Sequence, residues 1–278
     1  MTKGAGRSNL QQRVGSAVVL VALALALTWV GGFWYRILCA GIAGAVLYEW
    51  MTMALPREAA AHRIVLAVLL AVVLAMVLAG VPVATLFLAL AAAVVAGAAH
   101  AAYDQRGFWP VAGLAYAGLS AISLVALRGG DAAGLAATLF LFAVVWATDI
   151  LAYFVGRAVG GPKLAPSISP GKTWSGAIGG TIAGIAVGGV VALYAGILWG
   201  MAATAALAFV LSVVSQLGDL FESSLKRRFG AKDSGGLIPG HGGVMDRVDG
   251  LVAAAFVLFI IGALASGMDT PAHALFGR

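Results

Sequence analysis

Apolar runs long enough to cross a bilayer recur along almost the whole chain, and they constrain the fold more than any other feature. About nine are predicted, with approximate bounds 14–34, 36–55, 64–80, 82–101, 109–127, 133–156, 173–196, 200–222 and 247–266. A spanning helix needs about 20 apolar residues, whereas a membrane β-barrel would show shorter, alternating segments. The sequence therefore predicts an all-α, polytopic integral membrane protein.

Two parts of this pattern allow a second interpretation. The third and fourth segments are separated only by residues 80–82, Gly-Val-Pro, so they could instead form a re-entrant pair. The first segment follows Lys3, Arg7 and Arg13, as the apolar part of a signal peptide would. Its apolar run is too long for that and no small-residue cleavage site follows, so we expect a retained helix.

Lysine and arginine residues predict the orientation. With the N-terminus in the cytoplasm, nine helices place 14 of the 17 basic residues on the cytoplasmic side. Only Arg36, Arg128 and Arg278 fall on the opposite side, in agreement with the positive-inside rule. Topology and lipid headgroups thus account for the net charge of +6, and no nucleic acid partner is expected.

The two halves of the chain differ in polarity. Residues 1–132 are rich in Ala, Val and Leu, and we expect five helices there that act as scaffold, dimer contact or lipid access. Residues 133–278 hold seven of the 11 acidic residues and two long predicted cytoplasmic loops, 157–172 and 223–246. We predict that this second region is catalytic. No internal repeat is evident, so the signature of many transporters is missing.

Carboxylates flank the second of these loops. Asp219, Glu222 and Lys226 are spaced to share one helical face, as are Asp246 and Asp249 at the start of the last helix. Four carboxylates at a membrane edge repel one another unless a cation lies among them. Oxygen ligands of this type favour Mg²⁺ and then Mn²⁺, and a second cation is possible.

The loop between these carboxylates is rich in glycine and carries Lys226, Arg227, Arg228, Lys232 and His241. Glycines let backbone N–H groups approach an anion, and the cations neutralise phosphate oxygens. A topology-setting loop would explain the adjacent arginines, but not carboxylates on both flanks. We therefore predict a site for a metal-bound polyphosphate and a phosphoryl- or nucleotidyl-transfer reaction.

A second polar group lies within 148–176. Asp149 falls inside the sixth apolar segment, where a charge is costly and indicates either function or a structural ion pair. Residues 171–173, Gly-Lys-Thr, imitate the end of a P-loop, but Pro166 occupies the required glycine position. Lys172 is either a phosphate ligand or part of a topology-setting loop.

Two further features are predicted to be structural. Glycines recur every four residues on the seventh helix, at Gly176, Gly180, Gly184 and Gly188, so another helix can approach closely within the subunit or across a dimer. Glu49, near the inner end of the second segment, is predicted to be a membrane-interface residue.

The stretch 223–249 resembles the signature of the phosphatidate cytidylyltransferases, also called CDP-diacylglycerol synthases. That pattern runs Ser-x-apolar-Lys-Arg, four residues, Lys-Asp, and then His-Gly-Gly-apolar-x-Asp-Arg-apolar-Asp. Its fixed positions are Ser223, Lys226, Arg227, Lys232, Asp233, His241, Gly242, Gly243, Asp246, Arg247 and Asp249. Residues 169–174 are similar to the family's Ser-Pro-x-Lys-Thr-Trp element, although Ser175 departs from the Glu or Gln of many members. Residues 1–130 match only in being hydrophobic.

The resemblance implies that CTP and phosphatidic acid give CDP-diacylglycerol and pyrophosphate, with Mg²⁺ required. It also implies a homodimer in the bacterial inner membrane, with a site that faces the cytoplasm. The implied catalytic residues are Lys226, Arg227, Asp246 and His241, and His241 either donates to a phosphate or shapes the loop. The implied metal ligands are Asp149, Asp219, Asp246 and Asp249. The implied substrate-binding residues are Ser169, Lys172, Thr173, Ser223, Lys226, Arg227, Lys232, Asp233, Gly242, Gly243 and Arg247.

Other classes of protein remain open at this stage. A CTP-using kinase of lipid alcohols would yield a phosphorylated lipid rather than a CMP-linked one. A transporter of an anionic lipid or ion would use Asp149 and Asp219 as coupling sites and would release no pyrophosphate. Both a transporter and a structural scaffold leave the loop 223–249 without a purpose.

Overall fold

The computed structural model describes residues 4–56, 58–238, 240 and 242–277. Helices account for most of this part of the chain. In chain order the elements are α1 Gly4–Val30, α2 Gly32–Ala54, α3 Ala60–Ala79, α4 Val83–Tyr103, α5 Trp109–Arg128, α6 Ala132–Val159, β1 Lys163–Ala165, β2 Ser169–Thr173, α7 Trp174–Tyr194, α8 Met201–Arg228, α9 Met245–Ser266 and α10 His273–Phe276.

Every predicted apolar segment is helical. Among the described helices, α2–α9 are each long and apolar enough to cross a membrane, and the apolar part of α1, Val14–Val30, is shorter. The prediction of an all-α polytopic membrane protein is therefore confirmed. Because α3 and α4 each reach spanning length, the structure favours two membrane spans over a re-entrant pair. The left-handed Gly80, with φ of 75°, ends α3.

The structure corrects three local expectations. The break between the first two helices lies at Gly31, with φ of 69°, rather than at residue 35, because positive φ suits glycine. The predicted loop 157–172 contains an antiparallel hairpin, in which Lys163 pairs with Thr173. The predicted loop 223–246 is shorter, because α8 continues to Arg228 with three basic residues in its last turn. Cations stabilise that end of a helix.

The chain divides into two compact units. The first comprises Met1–Val81, Thr85–Ala121 and Ala231–Arg247, and the second comprises Pro82–Ala84, Ile122–Gly230 and Val248–Arg278. The stretch 231–247 thus belongs to the same unit as residues 1–81 near the N-terminus. The boundary at residue 132 stays a prediction.

In the first unit, Trp50 is the largest fully buried side chain. Its indole Nε1 donates to the backbone oxygen of Trp109 at 2.8 Å, and its ring lies 5.4 Å from that of Tyr116. A Cβ at Gly113 would lie 2.5 Å from the indole, so glycine there makes room for the ring. These contacts join the start of α5 to the end of α2 that is predicted to face the cytoplasm.

In the second unit, α7 packs along α6 through the predicted glycine stripe. A Cβ at Gly180 would lie 2.5 Å from the backbone oxygen of Thr148, and one at Gly176 would lie 2.7 Å from that of Ala152. The stripe is therefore used within the subunit. Beside it, the hydroxyls of Thr148, Ser212 and Thr181 form a buried chain of hydrogen bonds of 2.9 and 3.1 Å. This polar chain joins α6, α7 and α8 inside the second unit.

Candidate active site

Three carboxylates and one lysine come together in the second unit. Asp149 lies on α6, Asp219 on α8 and Asp249 on α9, and Lys172 lies on β2. The Lys172 Nζ is 2.5 Å from Asp219 Oδ2. Asp149 and Asp249 both experience the charges of Asp219 and Lys172. We call Asp149, Asp219, Asp249 and Lys172 the carboxylate cluster; its side chains carry a formal surplus of negative charge.

Close helix packing brings this cluster together. A Cβ at Gly218 would lie 2.8 Å from the backbone oxygen of Asp249, and one at Gly250 would lie 2.9 Å from that of Ser215. Glycines beside Asp219 and Asp249 thus let α8 and α9 approach at the level of the two carboxylates.

The depth of the cluster follows from the length of α6. Asp149 lies ten residues before the end of α6 at Val159, which corresponds to about 15 Å along the helix axis. Its side chain is nevertheless exposed, while those of Asp219 and Asp249 are half-buried. The described residues therefore leave part of the Asp149 side chain uncovered at this depth.

The element that carries Lys172 is held by its own hydrogen bonds. Thr173 is buried and caps α7, where its Oγ1 accepts from the backbone N–H of Gly176 at 3.1 Å. Ser169 begins β2 and is half-buried. Thr173 therefore has a structural role that its predicted role as a substrate ligand did not include. Because Lys172 precedes this cap directly, its backbone position is fixed.

Predicted ligands on α8 have protein partners. Ser223 Oγ lies 3.4 Å from Asp219 Oδ1, which makes a long hydrogen bond. Lys226 Nζ lies 2.6 Å from the buried Glu222. Arg227 Nε donates to the backbone oxygen of Ile168 at 3.3 Å. An ammonium carries three N–H donors, so the ion pair of Lys226 does not by itself exclude a phosphate.

In the first unit, Asp246 accepts hydrogen bonds from other residues of the stretch 231–247, which we call the anchored loop. Its Oδ2 accepts from the backbone N–H of Ser234 at 3.0 Å, from the Ser234 hydroxyl at 2.9 Å and from the N–H of Gly243 at 2.9 Å. These bonds fix the orientation of the carboxylate at the first turn of α9.

The structure corrects the prediction for Glu49. Instead of facing the membrane interface, the side chain is 1% exposed and accepts hydrogen bonds from the anchored loop. Its Oε1 accepts from the N–H of Val244 at 2.9 Å, and its Oε2 accepts from that of Met245 at 2.8 Å. Ser234 Oγ also lies 3.1 Å from Oε2. An acidic residue near the end of an apolar segment was the available signal for this role.

Three other predicted site residues of the loop have exposed side chains: Lys232, Asp233 and Arg247. Gly242 has φ of 82° and forms an isolated β-bridge with Ile238, which explains the glycine. His241 lies outside the described residues, so its predicted catalytic role stays a prediction.

The described carboxylates match a cation in charge and ligand type, but they do not form a closed cage. Among the residues that the structure describes, no three His, Cys, Asp or Glu side chains are close enough together to hold a metal ion on their own. Mg²⁺ is commonly bound by one or two carboxylates together with waters and substrate phosphates. The open carboxylate cluster fits that mode, and the four predicted metal ligands stay a prediction.

Fold and side chains together define a multi-pass helical membrane protein with an accessible acidic cluster beside a lysine. The profile of the Cytidylyltransferase family matches residues 11–265, so the chain belongs to that family.

Three relatives of this chain carry the same name. The phosphatidate cytidylyltransferase of Brucella suis biovar 1 is 49% identical over 279 residues, which cover 97% of this chain and 99% of the relative. That of Brucella abortus biovar 1 is 49% identical over 272 residues, or 94% and 96% of the two chains. That of Bacillus subtilis is 38% identical over 160 residues, or 57% and 59%.

Proposed function

We propose that this protein transfers a cytidylyl group from CTP to phosphatidic acid, giving CDP-diacylglycerol and pyrophosphate. The observation that carries this proposal is the carboxylate cluster with Lys172, in a chain similar over nearly its full length to enzymes named phosphatidate cytidylyltransferase. Family membership supports the cytidylyl chemistry. A membrane-embedded enzyme suits an acceptor that is itself a lipid.

In the proposed reaction, a phosphate oxygen of phosphatidic acid attacks the α-phosphorus of CTP. The new P–O bond forms as the bond from the α-phosphorus to the bridging oxygen of the β-phosphate breaks, and pyrophosphate leaves. The attacking phosphate monoester is largely ionised near neutral pH, since its second pKa is about 6. The reaction therefore needs no dedicated general base, and the protein acts by positioning and charge stabilisation.

We propose that Mg²⁺, with Mn²⁺ as a substitute, binds beside Asp149, Asp219 and Asp249 together with waters and substrate phosphates. When bound, the cation would neutralise phosphate oxygens and align the reacting groups. The three aspartates are suited to this role because one lysine offsets only part of their formal charge. Asp246 as a further ligand, and a second cation, remain predictions from the sequence.

Lys172 is proposed to act on the leaving group. Its ammonium lies against Asp219 and would stabilise negative charge as it develops on pyrophosphate. Arg227, whose guanidinium is exposed and bound to the backbone oxygen of Ile168, would contact the nucleotide phosphates at the end of α8. Lys226 would contribute while it remains paired with Glu222.

We further propose that the protein is a homodimer in the bacterial plasma membrane and that its site faces the cytoplasm. The distribution of lysine and arginine supports this orientation. CTP carries several negative charges and cannot cross a bilayer unaided, so a site open to the cytoplasm is the one that receives it.

The proposal is tested with purified protein in detergent, CTP labelled at the α-phosphorus, phosphatidic acid and Mg²⁺. The expected result is label in a lipid, an equal amount of pyrophosphate, and loss of both on addition of a chelator. A folded sample that labels no lipid would overturn the proposal. In that case, CTP labelled at the γ-phosphorus with lipid alcohols would test the kinase alternative.

A further inference from the structure

The hydrogen-bond donors that the structure describes for the buried carboxylate of Glu49 lie far from it in sequence. It lies on α2, whereas its hydrogen-bond donors at Ser234, Val244 and Met245 lie 185 to 196 residues further along the chain. Both carboxylate oxygens accept a backbone N–H, at 2.8 and 2.9 Å. Hydrogen bonds to a charged acceptor are roughly twice as strong as neutral ones.

The loop is shaped around this side chain. A Cβ at Gly235 would lie 2.7 Å from Glu49 Oε1, and one at Gly243 would lie 2.0 Å from Ser234 Oγ and 2.6 Å from Glu49 Oε2. Any side chain at either position would displace the carboxylate or the loop. Two of the glycines in this stretch are therefore explained by the close approach to Glu49.

Ser234 connects Glu49 to Asp246. Its hydroxyl oxygen lies 3.1 Å from Glu49 Oε2 and 2.9 Å from Asp246 Oδ2, and its single proton is donated to one of them at a time. Its backbone N–H donates to the same Asp246 oxygen. Displacing Glu49 thus changes two of the groups that orient Asp246: the Ser234 hydroxyl and, through Val244 and Met245, the start of α9.

We propose that Glu49 is a positioning residue for the transfer reaction, which sets the orientation of Asp246 and the start of α9 through the anchored loop. This inference rests on the proposed function for its catalytic consequence. Glu49 itself does not contact substrate. Its role differs from that of a lipid-facing or interface acid, because it is buried and bonded on both oxygens.

The first test compares Glu49→Gln with Glu58→Gln, which removes an exposed carboxylate from the loop after α2. The amide introduced by Glu49→Gln turns an N–H₂ group toward a backbone donor, so one hydrogen bond is replaced by repulsion. We expect kcat to fall roughly ten- to one-hundred-fold, with a smaller change in the KM for CTP. Glu58→Gln should keep the wild-type kcat. Equal kcat in Glu49→Gln and wild type would overturn the proposal.

A second readout does not depend on activity. Hydrogen–deuterium exchange should increase in residues 231–247 of the full-length Glu49→Gln protein, while exchange in α7 stays at the wild-type rate. Unchanged exchange in the loop would contradict the proposed anchoring. If wild-type protein labels no lipid but loop exchange still increases in Glu49→Gln, the proposed function fails and the anchoring by Glu49 stands.

A third variant, Ser234→Ala, tests the link between Glu49 and Asp246 even if Glu49→Gln does not fold. It removes only the hydroxyl between the two carboxylates and should lower kcat with an unchanged melting temperature. In the double variant Glu49→Gln/Ser234→Ala, the fold-loss in kcat should be smaller than the product of the two single fold-losses, because both substitutions act through Asp246. Fully multiplicative losses, or a Ser234→Ala enzyme with wild-type kcat, would show that Glu49 does not act by this route.

Discussion

Asp149 and Glu49 are both acidic residues within long apolar helices, yet their surroundings differ. Glu49 is buried and accepts backbone hydrogen bonds on both oxygens. Asp149 is exposed and lies among other carboxylates with one lysine nearby. The first arrangement satisfies the charge within the protein, and the second has room for a ligand. Partners, rather than depth in the helix, are therefore the basis on which we propose a positioning role for Glu49 and a ligand-binding role for Asp149.

The largest effects should come from Asp219→Asn in the carboxylate cluster and Asp246→Asn in the anchored loop. We expect both to lower turnover by about a hundredfold or more, since charge stabilisation is the main catalytic contribution. Only Asp246→Asn should increase hydrogen–deuterium exchange at Ser234 and Gly243, because an amide nitrogen can replace the oxygen that accepts from them. Normal turnover in either variant, with folding intact, would remove that residue from the proposed machinery.

The next largest effect concerns the lysine of the carboxylate cluster. Lys172→Ala should lower kcat/KM for CTP roughly ten- to one-hundred-fold, because the charge beside Asp219 and the leaving group is lost. Lys163 lies on the partner strand of the same hairpin and is exposed. Lys163→Ala serves as the matched control and should change kcat/KM by less than about twofold. Equal losses in the two variants would reduce the role of Lys172 to a general surface charge.

A smaller effect is expected from helix packing in the second unit. Gly180→Ala places a Cβ 2.5 Å from the backbone oxygen of Thr148, so α6 and α7 must separate. We expect a loss of about 1–3 kcal/mol in stability, measured as a lower melting temperature in detergent. Gly189 lies on the same helix and has no atom within 4 Å of its Cβ position, so Gly189→Ala should not destabilise the protein. A stable Gly180→Ala protein would contradict packing through the stripe.

The smallest effect lies outside the carboxylate cluster and the anchored loop, at the cap of α6. The N–H of Gly134 and the ring of His273 hold the pKa of Asp131 below its usual value. Its charged form therefore stabilises the fold near neutral pH, and this contribution is lost as the pH falls from about 4 through the lowered pKa. Asp131→Ala should cost about 1 kcal/mol near neutral pH.

Asp131→Asn is the control for this cap, because asparagine keeps the cap and loses the charge. Its melting temperature should lie between those of wild type and Asp131→Ala at neutral pH and approach that of wild type in acid. A difference in melting temperature between Asp131→Asn and wild type that persists at low pH would contradict the role assigned to the charge of Asp131.

Hydrophobic length predicted the helices well, because a spanning helix and its apolar run have nearly the same extent. It failed where polar residues continue a helix, as at 223–228, since the apolar run ends there although Glu222 and Lys226 are spaced to pair on one helical face. The hairpin around Lys172 was also missed. Its strands are only three and five residues long, too short for a clear alternating pattern.

For the site, spacing predicted candidate residues but not which of them meet. A shared helical face placed Asp246 beside Asp249 on α9, but it did not predict that Asp246 accepts from the N–H groups of Ser234 and Gly243. Long-range partners such as Glu49 and Ser234 leave no periodic signal, because their contact depends on tertiary packing. A lone acidic residue in an apolar run was the only indication of Glu49.

The separation between Glu49 and its donors has a consequence for biosynthesis. The ribosome completes α2 long before Ser234 is made, since 185 residues separate Glu49 from Ser234, so this carboxylate enters the membrane without its final partners. A nascent chain must keep Glu49 hydrated until the last part of the polypeptide emerges, since an unpaired charge in hydrocarbon is costly. A chain truncated before residue 234 would retain an acid near the end of α2 without the hydrogen bonds that Ser234, Val244 and Met245 supply.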